Sequence, residues 1–94
     1  MKVIASEKVK ERASKNLDFK KECLSHYQRH CKQDFGLVDT YIINENLKAI
    51  KTENKRVFSA YRTYYGKIWI ITDMKTKTTI VLFPDEYRAM VERR

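Results

Sequence analysis

Two short runs, Ile68-Trp69-Ile70-Ile71 and Ile80-Val81-Leu82-Phe83, are apolar at consecutive positions. Alternate residues of a strand point to opposite faces, so a strand made of either run is apolar on both sides. Neither face of the resulting sheet can lie wholly in water, which requires helices on one face and a helix or a partner over part of the other. From Arg56 onward the chain is rich in β-branched and aromatic residues, with no helical period and with turn residues between the runs. Three strands are expected, over residues 56 to 63, 67 to 73 and 78 to 83. Tyr64-Tyr65-Gly66 turns the chain between the first two, and Met74-Lys75-Thr76-Lys77 leads to the third. Pro84 suits the first position of a closing helix that runs to Val91, with Asp85 and Glu86 in its first turn.

Before Arg56 the period is helical. Ser6 caps a short helix over residues 7 to 14, with Val9 and Ala13 on one side. Asn16 caps a second that runs to about Lys32, on which Phe19, Cys23, Leu24, Tyr27 and Cys31 form one stripe that should face the core. Gly36 supplies the positive φ that ends it. Asp39 or Thr40 caps a third helix to about Lys51, burying Ile43, Leu47 and Ile50. Helices followed by a strand meander give an α+β fold: two to three N-terminal helices packed on a three-stranded antiparallel β-meander, with a short C-terminal helix.

With 94 residues, one domain is expected, and two Gly and one Pro leave little room for linkers. No stretch reaches the roughly 20 apolar residues of a membrane span. The first residues, Met1-Lys2-Val3-Ile4-Ala5-Ser6-Glu7-Lys8, lack an apolar signal core, so a cytoplasmic protein is expected. Cys23 and Cys31, two helical turns apart, lie beyond disulfide reach and are expected as free thiols. Cys23, His26 and His30 share a helical face at a spacing that suits zinc, but no second Cys/His pair supplies a fourth ligand, so no metal or cofactor is expected. No Gly-rich phosphate loop, paired-carboxylate spacing or nucleophile elbow is present, and no catalytic residue is assigned.

The formal net charge is +8, from 20 Lys and Arg against 12 Asp and Glu. Residues 1 to 32 carry +5, residues 33 to 47 carry −3, residues 48 to 77 carry +6, and the remainder cancels. Such a balance favours an anionic partner, through counterion release and steering. Cations interleaved with tyrosines around the first hairpin offer phosphate contacts and stacking platforms together. The expected binding residues are Lys48, Lys51, Lys55, Arg56, Arg62, Tyr64, Tyr65, Lys67, Lys75 and Lys77.

Several short motifs carry a likeness. Arg29-His30, Asp34-Phe35-Gly36, Asn46, Ala49, Arg56, Ser59-Ala60-Tyr61, Ile68-Trp69-Ile70-Ile71-Thr72-Asp73, Thr78-Thr79 and Leu82-Phe83-Pro84-Asp85-Glu86-Tyr87 span roughly residues 26 to 87. In these the chain resembles a family of small, largely uncharacterised proteins carried by phages and plasmids of Gram-positive bacteria. It departs from that family at Gln33, Phe35, Ile42 and Lys75-Thr76, where the family has Gly, Trp, an acidic residue and an Asp-Arg pair, so no polar site transfers. The resemblance implies a mobile-element accessory protein, for which anti-CRISPR or anti-restriction inhibition is a common role. The expected function is therefore a non-enzymatic inhibitor that binds a host CRISPR effector, another nucleoprotein complex, or nucleic acid directly. Helices followed by a small basic meander also describe mRNA interferase toxins similar to RelE, and an apolar second sheet face would suit a homodimer.

Overall fold

The computed structural model describes residues 2 to 92, with side chains as far as Ala89. Strand β1 (Lys2–Ala5) leads into α1 (Glu7–Lys15), α2 (Leu17–Cys31) and α3 (Thr40–Thr52). Strands β2 (Arg56–Thr63), β3 (Gly66–Asp73) and β4 (Thr78–Leu82) follow, and α4 (Pro84–Glu92) closes the chain.

The three predicted caps are in place. Ser6 Oγ accepts the Val9 amide at 3.2 Å, Asn16 Oδ1 accepts that of Phe19 at 2.9 Å, and Asp39 Oδ1 accepts that of Ile42 at 2.9 Å. Each satisfies one of the donors that a helix start leaves open. The stop of α2 differs from expectation. Gln33 takes the left-handed conformation, φ 65°, and the Asp34 amide donates back to Arg29 O at 2.9 Å. Gly36 has a different task, described below.

The sheet has four strands in the order β1-β4-β3-β2, and β1 runs parallel to β4 with Lys2 opposite Thr78. The expected three-stranded meander is therefore the antiparallel part of a mixed sheet. Four residues are too few to show a strand period, and their partner lies at the far end of the chain. One face, carrying Tyr61, Ile68, Ile70 and Val81, packs against Val9 of α1 and Phe19 of α2. On the other face Trp69 lies edge-on to Phe58 of β2 and to Tyr87 of α4, at centroid separations of 5.0 and 5.6 Å. The helix that had to cover the second face is α4.

Strand β2 is an edge strand, and its open hydrogen bonds would invite pairing with another chain. Two segments close that edge. The Leu37 amide donates to Ala60 O at 2.7 Å and the Ala60 amide to Phe35 O at 3.2 Å. Two residues earlier, Asn46 of α3 donates to Phe58 O at 2.8 Å and accepts the Phe58 amide at 2.9 Å. This demand sets the rotation of α3: Asn46 and Ala49 are buried, while Ile43 and Leu47, expected in the core, are more than a third exposed. In α2 a similar exchange occurs, with His30 buried and Leu24 and Cys31 exposed.

Asn46→Ala removes both bonds and strips the Phe58 backbone of its partners. At about 1 kcal/mol for each bond, roughly 2 kcal/mol of stability should be lost. A thermal melt should show a midpoint lower by roughly 10 °C; an unchanged midpoint would mean that water replaces the amide at no loss.

Candidate nucleic-acid interface

The β2–β3 hairpin ends in a tight turn in which Thr63 faces Gly66. Thr63 Oγ1 donates to Gly66 O at 2.6 Å and accepts the Tyr65 amide at 3.1 Å, which fixes both tyrosines of the turn. Tyr65 folds back towards the helices. Its ring meets Phe19 edge-on at 5.7 Å, and its hydroxyl accepts from Asn16 Nδ2 at 2.7 Å. The Arg12 guanidinium lies 4.3 Å from the Tyr65 ring centroid, in cation–π contact. Tyr64 points outward and is 86% exposed, touching Tyr65 edge-on at 5.1 Å.

Arg62 and Lys67 face one another across the same hairpin end. Among the described residues neither makes an ion pair, nor does Arg12. Like charges in directly opposed strand positions repel, so this pair is stabilised by an anion placed between them. Beside the tyrosines a cleft of about 280 Å³ is lined by Asn16, Asp18, Glu22, Tyr64 and Tyr65. It is large enough to admit a planar group against the Tyr64 ring.

Of the ten residues expected to bind, four lie at this hairpin end: Tyr64 and Tyr65 touch each other, and Arg62 and Lys67 are opposed on the sheet face away from Tyr61 and Ile68. Lys55, Arg56, Lys75 and Lys77 stand at the opposite end of the sheet, about 20 Å away at 3.3 Å per strand residue, and Lys48 and Lys51 lie on α3. Acids are interleaved in that second group. Arg56 is opposite Asp73, Lys77 pairs with Glu53 at 3.4 Å and Lys48 with Glu45 at 3.3 Å. The basic stretch 48 to 77 is thus two regions, each with cations that make no ion pair among the described residues, Lys51, Lys55 and Lys75 in one and Arg62 and Lys67 in the other, while Asp18 and Glu22 line the cleft beside the hairpin tyrosines. Sequence reading missed Arg12, because nothing in the spacing of α1 shows that its last turn abuts the hairpin.

Other titratable groups serve the fold. Arg29 clasps Asp34 at 2.7 and 3.2 Å and lies 4.8 Å from the Tyr61 ring centroid, while His26 stacks flat on that ring at 4.6 Å. The Arg29 bond holds the Asp34 carboxyl below its ordinary value. Tyr61 donates its hydroxyl to Asp34 O at 2.6 Å, and burial raises its pKa. Cys23 and Cys31 are free thiols. Burial pushes the Cys23 thiol up to about 11, which removes it as a thiolate nucleophile at neutral pH. His30 bonds Ser59 Oγ through Nδ1 and Thr72 Oγ1 through Nε2, at 2.5 and 2.8 Å, so neither nitrogen is open to a metal. Among the described residues no group of three His, Cys, Asp or Glu is placed to hold one. No described helix is long and apolar enough to cross a membrane.

Comparison with models of protein families, with curated proteins and with solved structures finds no match.

Proposed function

We propose that the protein is a non-enzymatic binding protein that takes single-stranded nucleic acid at the β2–β3 hairpin end. The observation that carries this reading is the Tyr64 ring, 86% exposed, in the turn of the hairpin on which Arg62 and Lys67 are opposed, two cations without an ion pair among the described residues. A base in a duplex has both faces covered, whereas an unpaired base can stack on an exposed ring while its phosphates meet the cations. The likeness to mobile-element accessory proteins supplies the setting: occupation of the nucleic acid of a host CRISPR effector or similar complex, blocking it without chemistry. An interferase would need an open His or Tyr beside the cations to move a proton. Tyr64, 86% exposed, is such a group, so the two readings separate on whether a labelled RNA is cleaved or only bound. The dimer reading called for an open apolar sheet face, and Trp69 on that face lies against Tyr87.

Fluorescence anisotropy with labelled single-stranded RNA and DNA tests the proposal. Arg62→Glu/Lys67→Glu should weaken binding by at least about tenfold and reduce the salt slope by about two. Tyr64→Ala should lose about 1 to 3 kcal/mol. Lys75→Glu/Lys77→Glu, at the other end of the sheet, should change affinity by less than about threefold at roughly 150 mM salt, where distant charges are screened. If no oligonucleotide binds at about 50 mM salt, where electrostatic contacts are strongest, the reading fails.

A further inference from the structure

The outward face of α2 is built unlike an ordinary solvated helix surface. Residues 17, 20, 21, 24, 28 and 32 fall on one side at helical spacing, opposite the buried Phe19 and His30. They are Leu17, Lys20, Lys21, Leu24, Gln28 and Lys32, and all are exposed. Leu17 is 63% and Leu24 55% exposed. No carboxylate stands on this stripe, and none of its three lysines makes an ion pair among the described residues. The two leucines are seven residues apart, about 10 Å along the axis, which is the repeat at which one helix seats the knobs of another.

We propose that this face docks an acidic amphipathic helix of a partner protein, one that presents apolar residues at seven-residue spacing flanked by Asp or Glu. Three other occupants fit less well. A single strand of nucleic acid would answer the lysines but offers no seat for two leucines. Two leucines bury less apolar surface than one acyl chain, and even one acyl chain gives only marginal membrane binding, so a lipid surface is held too weakly. Among the described residues, neither α1 nor α3 of a second copy of this chain matches it. Glu7 and Glu11 of α1 share their face with no apolar residue, and the exposed Ile43 and Leu47 of α3 stand beside Lys48 and Lys51. An acidic helix with two apolar anchors satisfies the leucines and the lysines at once.

The stripe shares no residue with the hairpin end, although Asp18 and Glu22 of the same helix line the cleft there, so substitutions within the stripe test it apart. The probe is a synthetic peptide of about 20 residues, long enough to be helical, with Leu every seventh position and Glu beside it. It is titrated into the full chain with amide chemical shifts as the readout. Shifts should concentrate between residues 17 and 32. Leu17→Ser/Leu24→Ser and Lys20→Glu/Lys21→Glu should each weaken the peptide by at least about tenfold, a change of about 1.4 kcal/mol. All four side chains are exposed, and an unchanged far-ultraviolet circular dichroism spectrum and melting midpoint verify that each variant is folded. A peptide with Lys in place of Glu should not bind. The proposal is overturned if the acidic peptide fails to bind at roughly 1 mM. It is equally overturned if binding survives both double substitutions, or if phosphatidylserine vesicles or single-stranded RNA shift these residues while the peptide does not.

Discussion

Gly36→Ala should cost the chain more than about 4 kcal/mol of stability, several times the loss at the other glycine. Gly36 lies against the edge of β2 with φ 71°, and a Cβ built there would stand 2.1 Å from Ala60 O and 2.7 Å from the Tyr61 ring. The first obstacle is backbone within a sheet, which cannot move without breaking the bonds around it. The Leu37 and Ala60 amides would both lose their partners, and Tyr61, in the centre of the core, would have to withdraw. Two broken bonds, left-handed strain on a non-glycine residue and a displaced core ring add to more than about 4 kcal/mol. Against the roughly 5 to 15 kcal/mol available to a small domain, that is between about a quarter and most of the total. Gly66→Ala is the control: φ there is 106°, but a Cβ would meet nothing within 4 Å. Only backbone strain, about 1 to 2 kcal/mol, should be lost at Gly66. Urea titrations followed by Trp69 fluorescence compare the two; equal losses at both positions would show that the contact with β2 is unimportant.

Much of this architecture was legible because short-range chemistry determined it. Ser6, Asn16 and Asp39 mark helix starts through bonds to residues three positions on, and such bonds need no knowledge of the rest of the chain. The strands of the hairpin and the last helix were legible for the same reason. What escaped was set at long range. β1 forms because β4 offers it a free edge, a relation between residues 2 to 5 and 78 to 81 that no local period records. The rotation of α3 escaped too: hydropathy placed Ile43 and Leu47 inside, whereas the side-chain amide of Asn46 turns inward to supply both donor and acceptor to the backbone of Phe58. His30 was displaced inward for a like reason, since Ser59 and Thr72 give its two nitrogens partners that an apolar residue would leave unsatisfied.

At the candidate site the same division appears. The nearness of Arg62, Tyr64, Tyr65 and Lys67 follows from a hairpin turn and could be read directly. The gathering of Lys48 to Lys77 into one surface could not, because strand length carries one half of the set away from the other. Neutralisation was also invisible: Glu53 is distant from Lys77 in sequence, yet the turns at which both adopt left-handed backbone bring them to 3.4 Å. A count of charge along the chain therefore overstated the basic surface and omitted Arg12, the cation that tertiary contact adds.

The chain should lose about 3 kcal/mol of stability between pH 6.5 and about 4, through His30. Its ring is 6% exposed, and burial lowers its pKa from the ordinary 6.5 to about 4. The neutral ring suits its place: one nitrogen donates and the other accepts, and the hydroxyls of Ser59 and Thr72 can answer either tautomer. Thr72 in turn bonds Thr79 at 2.7 Å, so the imidazole ends a buried chain of hydroxyls with no carboxylate to stabilise a cation. The unfolded chain takes up the proton first. Stability is therefore complete above pH 6.5, declines as pH falls through the interval, and is lost below the folded-state value near 4. At about 1.4 kcal/mol for each pH unit, the interval gives the figure stated. His26, also lowered by burial, acts in the same direction, whereas Asp34 and Asp85, held below the ordinary carboxylate value by Arg29 and Lys8, act at more acid pH. Urea midpoints should hold level from pH 7.5 to about 6.5 and then fall down to pH 4.5 in the native protein, and fall much less in His30→Gln. The imidazole resonances of the native protein give a second measure that needs no variant: a His30 titration midpoint near 6.5 in the folded state would remove the effect and its cause together.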